Sequence, residues 1–262
     1  MRKYQFINFH IKENYYLIEI NRPKQLNAIN KGTISELKKC FTEIRSSTKG
    51  FYGVIITGAG EKSFVAGADI VEFNELDQES AKKLSENGHE LFNTIESMPI
   101  PVIALVNGYS LGGGCELALS CHLRIATENA KFSQPEINLG TIPGYGGTQR
   151  LTQIIGKGRA LEMMLTAEMV DAKSALEYGL VNYILDDKEK AMEKSVSILN
   201  TVKRKSPKAI ANVIKSVNNF YNKDVNGFDQ EIKIFSKLCN SEDFKEGVNA
   251  FHEKRCPSFK GK

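Results

Sequence analysis

Two glutamates lie in settings that could support acid–base chemistry. Glu116 falls in the first turn of a helix that opens directly after Gly112-Gly113-Gly114, and Glu136 follows Ser133-Gln134-Pro135, 20 residues further on. Cys115, Leu117 and Ala118 surround the first, Ile137 and Leu139 the second. A lone glutamate in a first helical turn merely suits the helix dipole. Two carboxylates brought together resist ionising together, and one keeps its proton toward neutral pH. The glycines add a second chemical element. A Gly-rich turn from strand to helix leaves backbone N–H groups unpaired at the dipole-positive end. Such groups bind a phosphate or stabilise an oxyanion. A tight strand–helix crossing needs the same small residues, and both readings suit this segment. The loop from Gly140 to Gly147 is also rich in free amides.

Other motifs fail on closer reading. Gly108-Tyr109-Ser110-Leu111-Gly112 matches the G-x-S-x-G elbow of serine hydrolases, and the late His252 could complete a triad. No HGGG-type segment precedes it, and His252 belongs to a helical tail, so Ser110 reads as a structural loop residue. Between Gly58 and Ser63 no glycine directly precedes Lys62, so the P-loop spacing is not met. No cluster completes G-x-G-x-x-G, which removes the dinucleotide fingerprint.

These residues need elements to position them. Residues 6–11 and 16–20 read as a hairpin. Thr33 and Glu36 form a capping-box pattern ahead of a helical face of Ile34, Leu37, Phe41 and Ile44. Residues 53–57 and 102–106 are buried strands, with a helix over 79–97 between them. Residues 123–126 and 180–185 are further strand candidates. The alternation of strand and helix predicts crossover units with parallel strands. Residues 189–205, 207–222, 228–239 and 242–254 read as helices only, and so as a lid, a flanking subdomain or an oligomer interface rather than part of the sheet.

Composition sets bounds on the whole. The 262 residues carry 35 basic and 31 acidic side chains, a net charge of +4, too small for a dedicated nucleic-acid binder. Five cysteines without a C-x-x-C pair argue against a disulfide framework and a zinc ribbon, and for a reduced, cytoplasmic setting. No apolar run reaches the length of a membrane span.

Five motifs in order resemble the enoyl-CoA hydratase (crotonase) family. Asn21-Arg22-Pro23 with Asn27-Ala28 is similar to its N-R-P-x-x-x-N-A, and Phe64 to Ile70 to its F-x-A-G-A-D-[IL]. Asn107 to Ala118 resembles N-G-x-x-x-G-G-G-x-E-L-A, and Phe132 to Leu151 resembles F-x-x-P-E-x-x-L-G-x-x-P-G-x-G-G-T-Q-R-L. The tail from Glu246 to Arg255 resembles the family's C-terminus. The resemblance implies an α/β fold, a spiral of ββα units forming a catalytic domain over 1–190. A helical oligomerisation region over 191–262 would build a trimer, or a hexamer from two trimers.

The resemblance also implies roles. Ala68 and Gly113 would offer backbone N–H groups to the thioester carbonyl of an acyl-CoA. Glu116 would activate a water that attacks C3, Glu136 would protonate C2, and Gly144 would offer an N–H to that water. Lys24, Ala66, Asp69 and Ile70 fall to the CoA moiety, joined by Phe251 and Lys254 from a neighbouring subunit. Phe251 could equally pack between tail helices. Val71 stands where many relatives carry lysine. Tyr145 would shorten the acyl pocket toward crotonyl-CoA-sized substrates. Two carboxylates rather than one favour hydration of a trans-2-enoyl-CoA over isomerisation or thioester hydrolysis. No metal or separate cofactor is expected, since CoA arrives as part of the substrate.

Overall fold

The computed structural model describes residues 4–74 and 76–262. The N-terminal alternation forms an antiparallel hairpin, β1 (Ile7–Ile11) and β2 (Tyr16–Ile20), with Ile7 opposite Ile20 and Ile11 opposite Tyr16. Helix α1 (Lys31–Ser46) follows and buries Ile34, Leu37, Phe41 and Ile44, the face its periodicity predicts. The chain then repeats strand, strand, helix three times. The units are β3 (Val54–Gly58), β4 (Ser63–Ala66) and α2 (Gln78–Glu96); β5 (Val102–Val106), β6 (Tyr109–Leu111) and α3 (Gly113–Ser120); β7 (Leu123–Thr127), β8 (Lys131–Ser133) and α4 (Gly147–Ile155). Next come α5 (Lys157–Thr166), β9 (Val170–Asp171), α6 (Ala172–Glu177) and β10 (Tyr183–Leu185). The chain ends in α7 (Lys188–Val202), α8 (Pro207–Asn219), α9 (Gly227–Cys239) and α10 (Glu242–His252).

The first strand of each unit enters a six-stranded sheet ordered β1-β2-β3-β5-β7-β10, and the second enters a four-stranded sheet ordered β4-β6-β8-β9. Every residue of β3 and β5 is buried, as a nearly continuous run of apolar, largely β-branched residues in a parallel sheet requires. Alternate side chains go to opposite faces. Val54, Ile56, Val102 and Ala104 join Leu37, Phe41, Leu91 and Phe92 in the main core, while Ile55, Ile103, Leu105 and Ile125 meet Ala191 and Leu199 of α7.

Four expectations need correction. The capping box is displaced: α1 starts at Lys31, and Asn30 Oδ1 accepts the Thr33 N–H at 2.7 Å. Glu36 is then too far along the helix to reach back, and it binds the N–H groups of Gln5 and Phe6 at 2.7 and 2.8 Å. The tail is not wholly apart from the sheet, because α7 covers it; a boundary between residues 190 and 191 cuts through that helix. The strand read over 180–185 is confined to Tyr183–Leu185, since Leu180 and Val181 turn into the main core. The repeat is strand–strand–helix, as the resemblance implies, rather than the simple alternation read from periodicity.

Candidate active site

The four-stranded sheet sets the geometry. Strands β4, β6 and β8 run parallel, and Ala66, Leu111 and Ser133 are in-register neighbours at their carboxyl ends. Ala68, Gly113 and Pro135 therefore each lie two residues beyond one common edge, the side of a parallel sheet where ligands bind. Gly67 and Gly112 turn the chain there with φ of 97° and 48°, conformations that disfavour any other residue. A Cβ on Gly113 would come within 3.6 Å of the Ala68 nitrogen. Ala68 bridges to Ile29 through the bonds of its neighbours, Ile29 N–H to Gly67 O and Asp69 N–H to Ile29 O. In a parallel bridge the N–H of the middle residue then points the other way. Gly113 is the first residue of α3, so its N–H has no helical partner. Among the described residues neither N–H has a backbone partner, and the two residues are close neighbours. The tight-crossing reading of the glycine run holds, because a Cβ on Gly114 would strike Val65 O at 2.0 Å where α3 crosses β4.

The two glutamates flank this point. Glu116 is 1% exposed, and its Oε1 accepts the N–H groups of Tyr145 at 2.8 Å and Gly147 at 2.7 Å. Burial, and after it the charge of Glu136, push its carboxyl up to about 7, with the two N–H bonds opposing. Glu136 sits on the short turn Pro135–Leu139. Its Oε1 would lie 2.6 Å from a Cβ on Gly112, and its Oε2 is buried without a partner among the described residues. Burial raises its pKa as well. A desolvated carboxyl pair beside two convergent N–H groups can hold a water, move its protons and steady negative charge on a carbonyl oxygen.

The loop before α4 completes the wall. Gly144 O accepts the Ser85 hydroxyl at 2.6 Å. The Tyr145 ring is 5% exposed and lies between Gly88 of α2, Gly113 of α3 and the edge of Phe92. Arg150 ties the loop to α2: it donates to Tyr145 O at 3.0 Å, Asn93 Oδ1 at 2.6 Å and Glu96 Oε2 at 3.0 Å. Sequence reasoning missed Ser85, Arg150 and Gln134, whose buried carboxamide is without a partner among the described residues. Gln134 and Arg150 lie inside a quoted motif; Ser85 had only its polar character on an otherwise inward helical face to mark it.

The remaining sequence candidates separate. Lys24 is exposed on the turn Pro23–Gln25, and Ala66 N–H bonds Leu26 O at 3.0 Å, so that turn flanks the end of β4. Ile70 and Val71 are exposed just beyond Ala68. Asp69 is engaged inside the protein: Oδ2 meets Arg22 Nη2 at 2.7 Å and Oδ1 caps the turn at Val71. These bonds tie the loop after Ala68 to Arg22. Phe251 is 82% exposed near the end of α10, so it does not pack between the tail helices of its own chain. Lys254 is exposed just past that helix. Ser110 is a buried strand residue of β6, not a loop residue, and no imidazole meets its Oγ among the described residues.

This fold and site define an α/β protein of ββα repeats with a carboxylate pair at the carboxyl edge of its second sheet. The family model described as enoyl-CoA hydratase/isomerase matches residues 10–262, and the chain belongs to that family. It is 42% identical to the short-chain-enoyl-CoA hydratase of Clostridium acetobutylicum, over 91% of each chain. It is 40% identical to the crotonyl-CoA hydratase of Syntrophomonas wolfei over 98% of each. The crystal structure of an enoyl-CoA hydratase from Bacillus anthracis superposes with a TM-score of 0.91 at 35% identity, covering 98% of this chain and all of that one.

Proposed function

We propose that the chain hydrates short-chain trans-2-enoyl-CoA thioesters reversibly to 3-hydroxyacyl-CoA, using Glu116 and Glu136. The observation that carries this reading is the pair of desolvated carboxyls set beside the Ala68 and Gly113 amides. The thioester oxygen sits between those two N–H groups, which draw electron density from C3. Glu116 takes a proton from water as the new C–O bond forms at C3. Charge gathers on the thioester oxygen, where each donor of such a pair is worth roughly 2.7–4 kcal/mol. Glu136 then gives its proton to C2. The net addition is one water; the proton gained by Glu116 returns to Glu136 before the next turnover. Gly144, its carbonyl held by Ser85, offers its N–H to the same water. No oxidation state changes overall, and CoA enters and leaves as part of the thioester rather than being held as a cofactor.

Lys24, Ala66 and Ile70 line the approach for the CoA moiety. The exposed Phe220, Phe228, Phe235 and Phe251 on the tail helices support self-association into a trimer or hexamer, with Phe251 and Lys254 reaching a neighbour's site. Five unpaired cysteines, three of them buried, support a reducing, cytoplasmic setting. The Tyr145 ring, fixed between Gly88 and Gly113, supports a C4 over a C10 acyl chain.

The test follows loss of absorbance of the conjugated crotonyl thioester. Glu116→Gln and Glu136→Gln should each be nearly inactive while Ser110→Ala keeps most activity. A folded parent protein without turnover on crotonyl-CoA refutes the reading, and equal or better turnover of the C10 substrate refutes the chain-length part.

A further inference from the structure

Glu116 is held by two N–H groups of different standing. The Gly147 N–H belongs to the Gly146–Gly147 peptide, whose carbonyl accepts the N–H groups of Gln149 at 3.1 Å and Arg150 at 2.9 Å. Helix α4 therefore fixes that peptide. The Tyr145 N–H belongs to the Gly144–Tyr145 peptide, which precedes the helix and has glycine on one side and Gly146, at φ 102°, just beyond the other. Glycine next to a peptide makes its rotation cheap. A half-turn of this peptide would replace an N–H by a carbonyl oxygen in front of the Glu116 carboxylate. Among the described residues, the side chain that holds the carbonyl in place is Ser85, whose hydroxyl donates to Gly144 O at 2.6 Å.

We propose that Ser85 is a positioning residue that locks the Gly144–Tyr145 peptide so that its N–H addresses Glu116; this rests on Glu116 being the catalytic carboxylate. The chain runs from Ser85 O–H to Gly144 C=O, and from Tyr145 N–H at the far end of the same peptide to Glu116 Oε1 at 2.8 Å. Successive bonds through one peptide polarise each other, by perhaps 10–30% per bond. Ser85 thus both orients the amide and strengthens its donation. It has a fixed base to act from, because Gly88 and Phe92, on the same face of α2, hold the Tyr145 ring.

The experiment compares Ser85→Ala, Ser85→Thr and Glu116→Gln in the full chain by crotonyl-CoA hydration across pH. Ser85→Ala should lower kcat by roughly three- to tenfold, the range carried by one neutral hydrogen bond. KM should stay within about twofold, since Ser85 touches neither CoA nor acyl group. The acid limb of kcat should move upward by about 0.2–0.5 pH unit, because a weaker donor stabilises the carboxylate less. Ser85→Thr, which keeps the hydroxyl, should restore both. Parental kcat and acid limb in Ser85→Ala, or a threonine variant no better than alanine, overturn the inference. If Glu116→Gln is inactive while Ser85→Ala behaves as the parent, only this inference falls. If Glu116→Gln retains turnover, the assignment of Glu116 falls with it.

Discussion

The packing of the Tyr145 ring against Gly88 allows a steric test of how finely the Glu116 donors are set. Gly88 lies inside α2, where alanine gains about 1 kcal/mol in helix propensity. Its new Cβ, however, would stand 2.1 Å from Cδ1, 2.5 Å from Cε1 and 2.6 Å from Cγ of Tyr145. Carbon atoms rest about 3.5–4.0 Å apart, so the ring has to retreat by about 1.5 Å. Rotation about its own axis does not help, because Cγ is among the atoms struck. Behind it, a Cβ on Gly113 would already lie 3.3 Å from the ring, and Phe92 packs edge-on with centroids 5.7 Å apart. The backbone of Tyr145 therefore moves, and its N–H with it. A shift of about 1 Å at a catalytic constellation costs on the order of 10²-fold in rate. Overpacking costs about 1–3 kcal/mol, partly offset by helix propensity. Gly88→Ala should thus lower kcat on crotonyl-CoA by about 100-fold while the melting temperature falls only a few degrees. Removing the ring as well, in Gly88→Ala with Tyr145→Ala, keeps the backbone donor and relieves the clash. Its activity should rise back to that of Tyr145→Ala alone. Parental kcat in Gly88→Ala, or a double variant no more active than Gly88→Ala, would refute the reasoning.

If Glu116 takes the water's proton as proposed, it must be ionised to do so, and because its surroundings raise its pKa to about 7 the rate of hydration should fall as pH drops through about 7. A kcat profile flat down to pH 5.5 contradicts that. The same shift affects folding: the folded state binds this proton more tightly than the unfolded chain, so the stability it contributes is fully present below about pH 4.5 and is lost as pH rises through about 7. The gap corresponds to roughly 3 kcal/mol, and Glu116→Gln escapes it. That variant should therefore melt above the parent at pH 8 and with it at pH 4.5; an equal offset at both values sinks the linkage argument. Arg150→Met strips donors from Tyr145 O, Asn93 and Glu96 at a buried position. It should cost about 3 kcal/mol in stability and at least roughly tenfold in kcat, and unchanged kcat would show that the loop needs no such tie.

What could be read in advance follows from which interactions leave a mark on residue type. Strands β3 and β5 are rich in β-branched residues, and α1 repeats its apolar face at helical spacing, so both were legible. Strands β4, β6, β8 and β9 have four, three, three and two residues, too few for a period of two to show. Yet the register of Ala66, Leu111 and Ser133 in that second sheet is what brings Ala68, Gly113 and Glu136 together. The capping error has a similar root, since Asn30 and Thr33 are both good caps and only the helix start decides between them. Ser85, and Arg150 in one of its bonds, act on backbone carbonyls of the loop, which every residue possesses, so nothing at that receiving end announces them. A site whose donors are backbone amides is recorded indirectly. It shows in glycines that let the chain turn or approach, as at 67, 112 and 113, and in polar residues that tie its loops. Arg22 reaches Asp69 and the Ala28 carbonyl, Asn27 binds the carbonyls of Ala59 and Ser63, and Asn107 binds those of Gly58 and Gly60. These are conspicuous letters of the motifs, and each serves a loop rather than a ligand. On the proposed function, the motifs are long because two unmarked N–H groups and two carboxyls would have to be held at fixed places by several separate turns of chain.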